Sequence, residues 1–293
     1  MIRGGLGTAE CVPHNSAMHV PDSPPAHHDA AATPAVGEQP LTVSYEQPLN
    51  ERMRTFLRLE FLYQQLNFHQ RRPDAWSTRA AVGTLLEILA ITARGDVRSD
   101  LLKELERHMT VIHEYRSKPG ADAERVQAIV SDLAKLRSDL NAAGVFFMQK
   151  LRDSEFLNAI KHRSAIPGGT CEFDLPDYSH WLSLPHEMRI SALAEWVASV
   201  RPLCDAVLEL LWLTRENTRP RREVAQGGVY LLTLDKNQQV QLLRITLPAG
   251  TDLYPEISGS HHRCTIRLLR WTDINTRPTQ TEADVPFLLT TCT

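Results

Sequence analysis

From Asn50 to about Arg219 apolar residues recur every three or four positions, and beyond Gly228 they recur every second position. The first spacing predicts helices and the second predicts strands. The expected fold class is therefore α+β: a predominantly α-helical domain followed by a small antiparallel β-sheet domain. Residues 1–42 show neither period and are rich in Pro, Ala, Ser, Gly and His, the composition of a disordered N-terminal extension. The expected organisation is 1–42 disordered, 43–220 helical and 221–293 strand-forming, with an approximate boundary across which parts of the two can interleave.

Within the helical part, Asn50 is a good N-cap for a first helix, and Pro73 with Asp74 breaks the pattern before a second over about Ala75–Arg94. Ser99 or Asp100 can start a third, which "KPG" at 118–120 ends. A fourth follows in "DAERVQAIVSDLAKLRSDLNAA", with Val126, Ile129, Val130, Leu133 and Leu136 at helical spacing, and a fifth runs near Phe147 to His162. "IPGGTCEFDLP", residues 166–176, reads as turns. Helical spacing returns from about Pro185 to Val200, continues after Pro202 and closes at Pro220. In the last part "VYLLTL" and "QVQLLRITL", separated by "DKNQ", read as a β-hairpin. "HRCTIRLLRW" sets Cys264, Ile266 and Leu268 on one face and Arg263, Thr265 and Arg267 on the other, and "VPFLLTTC" adds a last strand.

The first helix carries the most informative pattern. On a wheel, Phe56, Leu57, Leu59, Leu62, Tyr63 and Leu66 cover more than half the circumference, and Arg54, Arg58 and Gln65 fill the narrow strip left over. Such a helix lies deep in a core or packs on both its own domain and a second copy of the chain. The second option makes Phe56, Leu59 and Tyr63 candidate dimer-interface residues, and both leave the arginine strip as the only wet face. Arg54 and Arg58 are like charges one turn apart, which weakens an isolated helix by about 0.2–0.5 kcal/mol unless a carboxylate or an acidic ligand answers them. Arg263 and Arg267 repeat the motif on a strand, about 13 Å apart, and Arg221 with Arg222 follow the last helix.

Charge sharpens this reading. The net charge of −3 comes from residues 1–45, where Arg3 faces Glu10, Asp22, Asp29 and Glu38; the rest balances at 31 bases and 31 acids. Arg215 to Arg270 holds nine bases against five acids, which points to an anionic partner. Five scattered cysteines without a C-x-x-C pair suit a reducing cytosol. No apolar stretch reads as a membrane span or a secretory h-region, so neither export nor a membrane partner is expected.

No phosphate loop, dinucleotide fingerprint, H-E-x-x-H or G-x-S-x-G occurs, so no catalytic residue, metal ligand or cofactor is assigned. His27 with His28 lacks further ligands at metal-site spacing, and His108 with His113 sits five apart, off a shared helix face. Ser258, Ser260, His261 and His262 form a polar turn rather than a catalytic pair. Glu172 and Asp174 are expected to bond loop N–H groups. A nucleic-acid-binding module using the same arginines is the alternative reading. The neutral total and the lack of aromatics interleaved with the bases weigh against it, so no nucleic-acid partner is expected.

Several ordered segments carry a resemblance: "PLNERMRTFLRLEFLYQQL", "RGDVRSDLLKELER", "IPGGTCEFDLP" with "HWLSLP", "EWVASVRPL", and "LYPEISG" with "RCTIR". Together, from about Tyr45 to Leu268, they resemble the ZapD family of bacterial cell division proteins. The resemblance implies a non-enzymatic cytoplasmic homodimer that binds the C-terminal tail of FtsZ and bundles FtsZ protofilaments. It further implies promotion of Z-ring assembly at mid-cell, reduced FtsZ GTPase activity and no cofactor. It also implies a basic tail-binding surface, which carries over to Arg54, Arg58, Arg94, Arg98, Arg263 and Arg267, with Arg221 and Arg222 where the family is also basic. The chain departs from the family in its N-terminal extension of about 40 residues, in a longer end after Trp271, and in placing His180 directly beside Trp181.

Overall fold

The computed structural model describes residues 41–115, 122–144, 148–216, 218–235, 239–259 and 262–293. The expected disordered extension up to residue 40, His27 and His28, the "KPG" stop, Ser260 and His261 lie outside the described residues. The chain folds as α+β, with a helical portion followed by antiparallel strands.

A strand that the pattern did not reveal comes first: β1, Thr42–Pro48. It leads into α1, Glu51–Gln70, where the Asn50 side chain accepts from the Met53 N–H at 2.7 Å, as expected of the cap. Asp74 caps α2, Ala75–Ala93, in the same way at 2.8 Å. Helix α3, Val97–Tyr115, starts before Ser99, because Asp96 accepts from the Ser99 N–H at 3.0 Å and is the true cap. Helix α4, Ala123–Ala142, matches the expected fourth helix.

The expected fifth helix is two. Asp153 closes the short α5, Gln149–Arg152, and Ser154 accepts from the Leu157 N–H at 3.3 Å to restart the chain as α6, Glu155–Ser164. The 166–175 stretch is a run of turns, followed by an unforeseen helix α7, Pro176–Ser183, with Pro176 in the first turn where its missing N–H costs nothing. Tyr178 and Trp181 of α7 pack with Phe156 and Trp196 at ring separations of 5.6–6.1 Å. Helix α8, His186–Glu216, runs through Pro202.

The strands are β2 (Arg221–Ala225), β3 (Val229–Thr233), β4 (Leu242–Pro248), β5 (Leu253–Gly259), β6 (Arg263–Arg270), β7 (Thr279–Gln280) and β8 (Val285–Cys292). They form two antiparallel sheets, one ordered β1-β4-β8-β2 and the other β3-β6-β5, with β7 beside β6. The expected hairpin of β3 with β4 does not form. Strand β4 pairs with β1, Thr42 opposite Pro248, and with β8, while β3 pairs with β6. Leu232 of β3 and Ile245 of β4 still meet in one core, but from opposite sheets. Alternation reveals that a strand is half-buried and not which partner buries it, so a sequence-adjacent pairing reads the same as this one.

Two apolar clusters organise the interior. The first joins α1, α2 and α8 through Phe56, Leu59, Leu85, Ile88, Val207 and Leu211, and reaches the first sheet at Leu242 and Cys292. The second fills the space between the sheets, and Cys264, Ile266 and Leu268 point into it as alternation predicted, leaving Arg263 and Arg267 exposed. A half-buried ion cluster ties the layers together: Arg215 of α8 reaches Glu46 of β1 at 2.8 Å and Glu60 of α1 at 2.6 Å, and Arg244 of β4 reaches Glu46 at 2.9 Å.

Candidate functional site

Phe56 and Leu59 are fully buried and Tyr63 is 5% exposed, all within the chain's own core. They have next to no area to offer a second copy. The wet face of α1 is also wider than the arginine strip, since Phe61 is 66% and Phe68 54% exposed. With half-buried Leu57 these form a stripe at i, i+4 and i+11, within about 40° of the wheel.

The eight expected arginines divide by what they already hold. Arg54 bonds Glu51 at 3.2 Å, and Arg98 places its guanidinium on the Leu140 carbonyl at 3.1 Å and on Asn141 Oδ1 at 3.2 Å, closing the C-terminal end of α4. Arg221 pairs with Glu223 at 2.9 Å and Arg267 with Glu256 at 3.1 Å. Arg58, Arg94, Arg222 and Arg263 are exposed and have no carboxylate partner among the described residues.

Arg58 and Arg94 share one pocket of about 200 Å³, between α1 and the turn from α2 to α3, which Arg52, Gly95 and Asp100 also line. Arg52 was not foreseen. Its partner Glu104, at 2.7 Å, lies half a hundred residues away on α3, and no local spacing signals the pair. Burial opposes the Glu104 charge, but Arg107 at 2.8 Å, Arg52 and the Gln241 amide hold its carboxyl below the usual range. Arg52 is thereby neutralised, and the positive charge left at the pocket belongs to Arg58 and Arg94, with Asp100 the carboxylate beside them. Next to Glu104, burial and Arg107 push His108 down to about 4, so it stays neutral in the core.

Arg222 lines a second cavity, a slot of about 630 Å³ between β2 and β3. These strands leave the turn at Gly227 and Gly228 joined by the single bridge of Gln226 with Val229, and then diverge into different sheets. Gly228 has φ +76°, and a Cβ there would run into the Thr281 carbonyl oxygen, so the turn requires glycine. Val224 at 48% and Leu231 at 67% exposure face the slot. Register puts Thr233 opposite Arg263 and Val229 opposite Arg267, so Leu231 stands between two arginines on one outer face.

The remaining expectations resolve as local structure. Asp174 lies 3.4 Å from Arg163 and accepts from the Cys171 thiol at 3.6 Å, where bonds to loop N–H groups were expected. Among the described residues no group of three His, Cys, Asp or Glu is placed to hold a metal, and no helix is long and apolar enough to cross a membrane.

Exposed arginines without a carboxylate partner among the described residues line both concave places, Arg58 and Arg94 the first and Arg222 the second, and guanidinium groups so placed suit an anionic ligand. Comparison with known proteins is specific. Residues 57–267 match the family model ZapD, described as a cell division protein. "Cell division protein ZapD" of Methylococcus capsulatus is 37% identical over 250 residues, covering 85% of this chain and 98% of that protein. The protein of the same name from a Janthinobacterium species (strain Marseille) is likewise 37% identical, over 85% of this chain and 99% of its own length. The chain belongs to the ZapD family of cell division proteins.

Proposed function

We propose that this chain is a cytoplasmic, non-catalytic division factor that binds the FtsZ C-terminal tail directly. In this reading it cross-links and bundles FtsZ protofilaments, promotes Z-ring assembly at mid-cell and lowers FtsZ GTPase activity as a consequence of bundling. The observation that carries the reading is the set of four expected arginines, Arg58, Arg94, Arg222 and Arg263, that are exposed and without a carboxylate partner among the described residues, in a member of a cell division family. Guanidinium forks match carboxylates bidentately, so an acidic tail is the ligand class these residues suit.

Bundling needs two tail sites on one particle. A symmetric homodimer supplies them, and linkage raises avidity without new contacts. The stripe of α1 made by exposed Phe61 and Phe68 with half-buried Leu57 is the apolar surface assigned to that contact, in place of the buried Phe56, Leu59 and Tyr63.

The test is co-sedimentation with polymerised FtsZ alongside GTP turnover. At low salt the protein is expected to pellet with FtsZ and to slow turnover, and both effects are expected to fade as ions screen the exposed arginines. Pelleting that stays at background at low salt contradicts the proposal.

A further inference from the structure

The geometry points to the slot between β2 and β3 as the seat of the FtsZ tail, held as an added β-strand on the free edge of β3. This rests on the tail-binding reading above and adds the backbone mode of docking and the residues that set it.

The backbone argument starts from the ladder. Leu268 N–H bonds the Gly228 carbonyl at 2.8 Å and Leu234 N–H bonds the His262 carbonyl at 3.0 Å, at the two ends of β3. Bonded positions in an antiparallel ladder recur at every second residue, so Tyr230 and Leu232 point their N–H and C=O groups at β6. Leu231 and Thr233 therefore point theirs the other way, away from β6, and Leu231 lines the slot. The Val229 N–H is taken by the Gln226 carbonyl at 3.0 Å, but among the described residues nothing pairs with the edge groups of Leu231 or Thr233. An open edge of this kind is a template for an extended peptide.

The side chains select which peptide. Val224 and Leu231 offer aliphatic contact, Arg222 lines the slot, and Arg263 stands beside Leu231 on the outer face of the second sheet, both guanidinium groups without a carboxylate partner among the described residues. Glu223, a carboxylate lining the slot, is already held by Arg221, and burial together with Glu223 raises the Tyr230 hydroxyl, whose ring packs edge-on to Phe287 at 5.4 Å. The floor is thus set before a ligand arrives. An extended strand alternating aliphatic and acidic side chains fits, whereas a second copy of this chain would bring its own Arg222 and Arg263 against these.

Hydrogen exchange on the full chain, with and without saturating FtsZ tail peptide, tests the inference together with peptide anisotropy on Leu231→Pro and Leu231→Ala. The peptide is expected to slow exchange at Leu231 and Thr233. Proline at 231 removes an edge donor that the β3–β6 ladder does not use, so it should leave the fold intact and weaken binding about tenfold or more, while alanine keeps most of the affinity. Melting curves check folding, and the exchange arm decides if the proline variant unfolds. Tail binding by the wild type with unchanged exchange at 231 and 233 overturns strand addition and leaves the tail-binding reading standing. Absence of wild-type binding overturns both. Concentration-dependent protection of β3 without peptide gives the edge to a second copy and overturns the inference.

Discussion

Arg215 and the pair Arg58 with Arg94 make opposite use of the same side chain. Arg215 lies between two carboxylates, and although burial works against its charge, Glu60 and Glu46 more than offset it and hold it protonated. It joins β1, α1 and α8. Arg58 and Arg94, on and beside the same α1, have no such partners among the described residues and open onto a pocket. The difference teaches that arginine content alone says little here: satisfied guanidinium groups hold the fold, and it is the unsatisfied ones that the proposed function assigns to a ligand.

Breaking the satisfied side should give the largest effect. Arg215→Ala leaves Glu46 and Glu60 half-buried without their shared cation, and is expected to cost about 3–5 kcal/mol in urea unfolding. Tail affinity of the folded protein should not change.

His108 provides a pH test of the same interior. Its folded pKa of about 4 lies below the ordinary 6.5, so as pH falls the unfolded chain takes up a proton that the fold refuses. Stability is full above about 6.5 and declines toward 4 by up to about 3 kcal/mol. His108→Gln should flatten that decline in a series of melts, and an unchanged slope would remove His108 from the account. Phe61→Glu tests the outer stripe. It should leave the monomer fold intact and weaken self-association by about 1.5–3 kcal/mol, read by sedimentation equilibrium. Undiminished dimers would place the contact elsewhere.

Much of the fold was legible because helices and strands announce themselves by period and cap. Asn50, Asp74 and Asp122 sit where local chemistry puts them, and the alternation of β6 holds residue by residue. What was hidden depends on distant partners. Strand β1 has seven residues and finds β4 about two hundred positions later, and β3 and β4 are neighbours in sequence that belong to different sheets. The candidate site behaved alike. Sequence identified the arginines of interest, but only tertiary structure shows that Arg98 closes α4 and Arg267 answers Glu256, while Arg58 and Arg263 have no carboxylate partner among the described residues. Phe61 and Phe68 were overlooked because a broad apolar arc conceals which of its members face water.

The most direct measurement compares two charge-matched variants in anisotropy titrations of a labelled FtsZ tail peptide: Arg58→Glu with Arg263→Glu, and Arg54→Glu with Arg267→Glu. Each pair takes one arginine from α1 and one from β6, and both make the same change in net charge. The account predicts that the first variant loses affinity by about thirtyfold or more, roughly 2 kcal/mol, while the second stays within a few-fold of wild type. Equal losses in the two would contradict it, because binding would then follow total charge rather than the arginines left without a partner.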